Sequence, residues 1–455
     1  MACAVLAGFS WVNFTPTSVI ERDEEAKSII KSHAMRVYHH QHPRPRRKQT
    51  TLSKPRNRRI SPKETSSNLP VSHDDVYMYK PETDWEGLAI YNFMETFVYP
   101  EQASPENAFQ YLNFLPGLYN KYSDRSCLTE AISAVAVALL ANQTRNTNLS
   151  LRARKTYVNA LTLVNDSLKD PLSRDSDHVL AALCLLTKYE IVGNNRDPDK
   201  ESLWQTHEKG QTALICQRGA NQLKTEIGAS LFRLIYIRQQ LNCISKCEEP
   251  AIRLTSSSWE LAFPMPRLRK LMELIARIAN IRFATAAPLS PREACRVAED
   301  AAKIDADMTA FIENLPPNLQ YHSVPNATHS ADAPPIIHIF HDLQHASLWH
   351  VFWYGRIYLL QTLLQYSAYQ PEILRSRLHE TVGDICASVL LNDADCPQIF
   401  VADRGGRAIA AHYLIWVLAA ASTVPDLPES RREWISGRLR RIGVVYGIRQ
   451  ALVFA

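Results

Sequence analysis

Glycine is scarce in this chain: 14 of 455 residues, about 3% against a usual share of roughly 7%. No G-x-G-x-x-G, G-x-x-x-x-G-K-[ST] or G-x-S-x-G occurs anywhere, so phosphate-cradling and serine-hydrolase readings lose their main support. The nine cysteines, at 3, 127, 184, 216, 243, 247, 295, 386 and 396, are odd in number and contain no C-x2-C pair. A disulfide framework is not expected, and a reducing compartment is. Cys243 and Cys247 fall one helical turn apart in an apolar run, as packed thiols do. The opening MACAVLAGFS lacks a basic region and runs on to the acidic ERDEE at 21–25, unlike a secretory signal. The most apolar stretch, 408–424, is seventeen residues with a histidine inside. That is short of the roughly twenty a spanning helix needs, so it reads as a buried core helix and no membrane association is expected.

Charge is concentrated. Residues 31–63 hold eleven Lys/Arg and no Asp or Glu, which leaves the other 422 residues at 5 − 11 = −6. Pro43, Pro45, Pro55 and Pro62 forbid a continuous helix there, and low apolar content predicts a disordered arm over 1–85. Two clusters stand out: Arg44, Arg46, Arg47 and Lys48, then Lys54, Arg56, Arg58 and Arg59. Both fit a nuclear-import address or a direct nucleic-acid contact. The contact would be weak, non-specific and salt-dependent.

From about residue 86 onward the apolar residues recur at spacings of three and four, with no run of alternating strand pattern. Helices are expected at 126–142, 151–169, 177–192, 203–218, 226–246, 267–286, 291–314, 336–366, 371–391, 405–423 and 429–452. Asp170-Pro171, Gly219 and Ser290-Pro291 supply stops and a start. Segments 193–199, 313–318 and 323–335 carry turn chemistry and read as linkers. The expectation is an all-α fold: one large irregular multi-helix domain over 86–455.

Candidate chemistry is thin. HIFHDLQH places His338, His341, Asp342 and His345 together, and H-D-x-x-H resembles a zinc-binding H-E-x-x-H with His341 and His345 one helical turn apart. The base would be one methylene shorter, and no further ligand stands in a recognisable pattern. His39, His40 and His42 lack Cys or carboxylate neighbours. His207 reads as a core or surface histidine beside Trp204. No acid–base pair emerges, so no enzyme, cofactor or metal is expected.

Specific strings nevertheless match a known pattern. Trp204, His207, Gly210, Leu214, Arg218 and Gly219 stand as in the W-x-x-H-x-x-G-x-x-x-L-x-x-x-R-G signature of the fungal-specific transcription factor domain, which the chain resembles. LLTKYEIVG (185–193) precedes it; SLFRLIYIRQQL (230–241) and a later helix with Trp349, Arg356 and Ile357 follow; IGVVYGIRQA (442–451) closes the series. FLPGLY (114–119) falls in the family's order, while WVNFT (11–15) and KSHAMR (31–36) resemble openings of members without a zinc finger. The resemblance implies a helical regulatory region. The binuclear zinc cluster such regions accompany needs six cysteines in about thirty residues, and the first 126 residues contain only Cys3.

The signature residues are expected to serve as scaffold: Trp204 filling a core gap, Gly210 admitting a neighbouring helix, Arg218 and Gly219 closing a helix end. In the alternative, His207 and Arg218 line a small-molecule pocket between helices. The preferred reading is a nuclear transcription regulator without its own zinc-cluster DNA reader, acting through other regulators or a second copy. The other reading is a helical small-molecule-binding protein or metabolic enzyme with a pocket near 204–219 or 338–356.

Overall fold

A computed structural model describes residues 84–98, 112–121, 126–193, 203–326, 333–367, 370–389 and 407–455. The basic block at 31–63 and the arm expected over 1–85 fall outside the described residues, apart from Asp84 and Trp85. The remainder bears out the all-α expectation, with fourteen α-helices among the described residues.

Helix α1 (Trp85–Phe97) starts at Asp84, whose carboxylate accepts from the Gly87 N–H. After the short α2 (Leu115–Lys121), α3 (Cys127–Thr144) opens with a capping box between Ser126 and Thr129. Thirteen of its residues are buried, because α1, α4 and α5 all pack on it. The Ala-rich sequence permits this, since small side chains let several helices approach one axis. It is also the one described helix long and apolar enough to cross a membrane, and it spends that length inside the fold. By contrast α4 (Thr147–Lys169) buries one stripe, Leu149, Ala153, Tyr157, Ala160, Leu161, Val164 and Leu168, as helical amphipathicity requires.

Helix α5 (Asp177–Gly193) is buried nearly all round and packs on α6 (Leu203–Arg218). Gly219, with φ +57°, takes the left-handed conformation that ends α6 and begins a 3-10 turn over Gly219–Lys224. Helix α7 (Glu226–Lys246) is capped by Thr225 and ends at Cys247, itself left-handed, so the Cys243–Cys247 pair straddles a helix end. Then come α8 (Ser256–Ala262), α9 (Pro266–Ala284) and α10 (Pro291–Glu313), the last opened by a Ser290/Glu293 capping box with Pro291 in its first turn.

The chain departs from expectation after Pro317–Leu319, a single 3-10 turn. Strands β1 (His322–Pro325) and β2 (Ile336–Ile339) form an antiparallel hairpin, His322 opposite Ile339 and Pro325 opposite Ile336. The expected helix over 336–366 therefore begins only at α11 (Leu343–Tyr366), where Asp342 caps it by accepting from the His345 N–H at 2.9 Å. Three β-branched isoleucines favour the pleat, and Asp342 is the start signal. Helix α11 buries nineteen residues beneath α9, α10, α12 (Pro371–Ser388) and α13 (Arg407–Ser422). At Gly355 an added Cβ would sit 2.6 Å from Ile275 Cδ1, so the side chains of α9 pack directly on the α11 backbone there and would have to shift to admit a larger residue. Helix α14 (Glu429–Val445) stops short of the expected 452, and a 3-10 turn, Arg449–Val453, follows. Asn142 ties these parts together, donating at 2.8 Å to the carbonyls of both Val192 and Gly447.

Candidate functional site

The sequence signature lies on α6, where every third or fourth residue faces inward. Trp204, on its first turn, packs on Trp416 of α13 at 5.7 Å between ring centroids, and the Lys246 ammonium stands 4.9 Å over its ring. One turn on, His207 is fully buried, its Nε2 2.9 Å from the Tyr157 hydroxyl of α4. The Tyr157 ring stacks on Tyr189 of α5 at 4.1 Å, and its hydroxyl also meets the Glu190 carboxyl. Burial raises Glu190 from its ordinary range to about 7, against a smaller opposing effect of that hydrogen bond. Gly210 is buried in the same helix. At the far end Arg218 pairs with Asp177, in the first turn of α5, directly before the left-handed Gly219.

A second set of α6 side chains faces α7. Glu208 forms an ion pair with Arg238, whose Nε stands 2.8 Å from one carboxylate oxygen, and accepts the amide of Asn242 on the other at 2.6 Å. Gln211 donates to the Leu183 carbonyl at 2.8 Å and to Thr187 of α5, and its own carbonyl accepts from Arg238. Arg238 is therefore held in a fork of two acceptors one helical turn apart. Nearby, Lys188 of α5 and His412 of α13 are both buried, with Nζ and Nε2 2.6 Å apart sharing one N–H. Burial, and then the Arg238 charge, push the Lys188 amine well below its usual range. The His412 imidazole is lowered likewise by burial, then by Lys188 and Arg238. Burial raises Glu208 to about 7, though Arg238 pulls the other way.

These groups border a cavity of about 90 Å³ between α5, α7, α11 and α13. Lys188, Arg233, Arg238 and His412 supply its polar wall; Leu234, Ile237, Leu241, Val351 and Trp416 are the main apolar contributors. Neither His207 nor Arg218 lines it, nor does any other residue of α6, so it is not the pocket of the alternative reading that placed those two side chains in its wall. Val351 and Tyr354 do fall within the 338–356 segment.

The histidines around Trp349 separate into two groups. His338, on β2, is buried between Ser323 Oγ at 3.0 Å and Asp384 at 3.4 Å, and His350 is buried against Ser388, its pKa lowered by burial to about 3. His341, Asp342 and His345 bring their ligand atoms within 4.8 Å of one another, the one such group among the described residues. They do not share a helix face as H-D-x-x-H suggested, because His341 precedes the helix start. Asp342 is the helix cap and also bonds His345 Nδ1 at 2.5 Å. Burial pushes its carboxyl up, but the bonds from His345 and His341 outweigh that and hold it below the usual carboxylate range. The cap and the His345 bond thus occupy the oxygen a metal would compete for.

Lys188, Glu208, Gln211, Arg238 and His412 were missed in the sequence, although a signal was present. Lys188 stands alone in an apolar helix, and so does His412. Glu208 and Gln211 continue the inward stripe that Trp204 begins.

A model of the fungal specific transcription factor domain matches residues 96–453 of the chain. No curated protein and no solved structure matches it.

Proposed function

The chain belongs to the fungal specific transcription factor domain family, whose match spans most of its length, and from that premise we propose that it is a nuclear transcription regulator whose helical region works by binding rather than by catalysis. The observation that supports this reading is the family match over residues 96–453, whose described residues are predominantly helical. The division proposed is a basic N-terminal arm to about residue 85 and a helical regulatory region beyond it. The arm supplies the nuclear address and a charge-driven, sequence-independent contact with DNA. With only Cys3 before residue 127, sequence recognition belongs to a partner, either another regulator or a factor already on DNA, joined through the helical region.

The test is imaging of the fluorescently tagged full chain beside a variant with Arg44, Arg46, Arg47, Lys48, Lys54, Arg56, Arg58 and Arg59 changed to Ser. Nuclear signal lost in the variant supports the reading; an exclusively cytoplasmic intact chain overturns it. In a DNA titration across salt, the variant is expected to show a shallower log–log slope, by about 0.9 for each phosphate contact removed.

A further inference from the structure

The cavity between α5, α7, α11 and α13 is lined by basic side chains, of which burial holds Lys188 and His412 toward their neutral forms. Lys188, Arg233, Arg238 and His412 line it, and no carboxylate does. The two arginines differ in how they are engaged. Arg238 is committed to Glu208 and Gln211. Arg233 reaches only the Ser230 hydroxyl, at 3.1 Å, and the Ala262 carbonyl, at 3.4 Å. Glu226 acts on it from beyond ion-pair distance, and among the described residues no carboxylate pairs with it. A guanidinium presents a planar fork matched to a carboxylate, and one already partly desolvated gains from such a partner. Leu234, Ile237 and Leu241 of the same helix line the space beside Arg233, and Val351 of α11 and Trp416 of α13 complete its apolar lining. At roughly 10–15 Å³ per water-sized site, about 90 Å³ holds on the order of six to nine non-hydrogen atoms.

We infer that this cavity binds a small monocarboxylic acid with an aromatic or aliphatic body, its carboxylate on Arg233 and its body against Trp416 and the neighbouring aliphatic side chains. A dianion such as phosphate has no apolar body to place against Leu234, Ile237, Leu241, Val351 and Trp416, and so leaves that part of the lining unused. A cation meets four basic side chains. That the acid serves as an effector rests on the transcriptional reading; that it binds does not.

The test is calorimetric titration of the full chain with benzoate, hexanoate, benzamide and benzylamine, none of which exceeds nine non-hydrogen atoms. The expected result is saturable one-to-one binding of at least one acid, roughly tenfold or more tighter than the isosteric amide, with no uptake of the amine. Arg233→Gln is expected to lower acid affinity about tenfold while leaving the amide unchanged. Leu234→Trp, which fills the space, is expected to abolish both, with thermal melting confirming that each variant folds. Absence of saturable acid binding up to about 10 mM, equal affinity for acid and amide, or acid binding that persists in Leu234→Trp would overturn the inference. Because no cell or promoter is involved, its failure leaves the nuclear reading untouched, and the reverse holds as well.

Discussion

His207 and Glu208 are adjacent on α6, yet they look into different chemistry. His207 turns toward α4, where Tyr157, Tyr189 and Glu190 form a closed set of stacked rings and shared hydrogens with the Glu190 carboxyl raised to about 7. Glu208 turns toward Arg238 of α7, beside which the buried Lys188 and His412 border a cavity with their pKa values depressed. A buried polar group is tolerable when its bonds are made, and the His207 side meets that condition with rings and neutral partners. The Glu208 side meets it only by setting charges against one another, an arrangement that costs desolvation and needs every partner in place. Low-cost neutral bonding is what a scaffold requires. Concentrated charge at the rim of an open space is more than a scaffold requires, and that excess is why the cavity carries the ligand inference.

Breaking the charged side is expected to have the larger effect. The Arg238 and Glu208 side chains are 18% and 14% exposed, well inside the range where ion pairs behave as buried. Arg238→Leu removes the ion-pair partner of Glu208 and the donor to Gln211, and is expected to cost about 3–5 kcal/mol in urea unfolding, the usual result of stripping one partner from a buried pair. A loss below about 1 kcal/mol, the value for a surface pair, would mean that water already reaches the cluster and that the contrast with the His207 side is one of degree.

The two sides also differ in how they respond to pH. Glu190 and Glu208 stay protonated in the folded chain up to about 7, whereas in the unfolded chain they release their protons near 4.5. The folded state therefore holds the extra protons between those limits, and stability falls as pH rises through that window. On the charged side Lys188 and His412 act the other way. Their folded-state values are depressed, so stability rises with pH until about 6.5 for His412 and about 10.5 for Lys188. The Glu208 contribution is thus opposed by its neighbours, while the Glu190 contribution is not. Glu190→Gln is expected to flatten the decline by up to roughly 3 kcal/mol between pH 4.5 and 7. If urea midpoints of the parent and Glu190→Gln run parallel from pH 5 to 7.5, the carboxyl is not titrating where its burial places it.

How much of this was legible in the sequence depended on distance along the chain. The α10 boundaries could be read because Ser290, Pro291 and Glu293 are local signals, and α5 and α13 could be read as buried from their apolar runs. The Lys188–His412 contact could not, since the two stand 224 residues apart and neither carries a local pattern. What one sequence did offer was the oddity of a lone lysine and a lone histidine in two apolar helices, a pairing that burial alone makes worth testing. The hairpin was missed for the opposite reason. Ile336, Ile337 and Ile339 run into the apolar face of α11, so strand and helix read as one segment. The capping function of Asp342 was hidden by its position in a metal-like H-D-x-x-H string.

A control outside both clusters sharpens the comparison. Arg145 closes α3 in the left-handed conformation, φ 54°, donating its N–H to the Ala141 carbonyl, with an exposed side chain. An L-residue there bears a cost of about 1–2 kcal/mol, of which glycine returns part as lost chain freedom in the unfolded state. Arg145→Gly is therefore expected to stabilise by about 1 kcal/mol, the smallest of these effects and the only gain. Because the site lies far from Glu190 and Glu208 in chemistry, the variant should raise the urea midpoint equally at every pH, leaving the slope between pH 5 and 7 unchanged. A change in that slope would show that the decline reports general loosening of the fold rather than the two buried carboxyls, and the pH argument would lose its assignment to them.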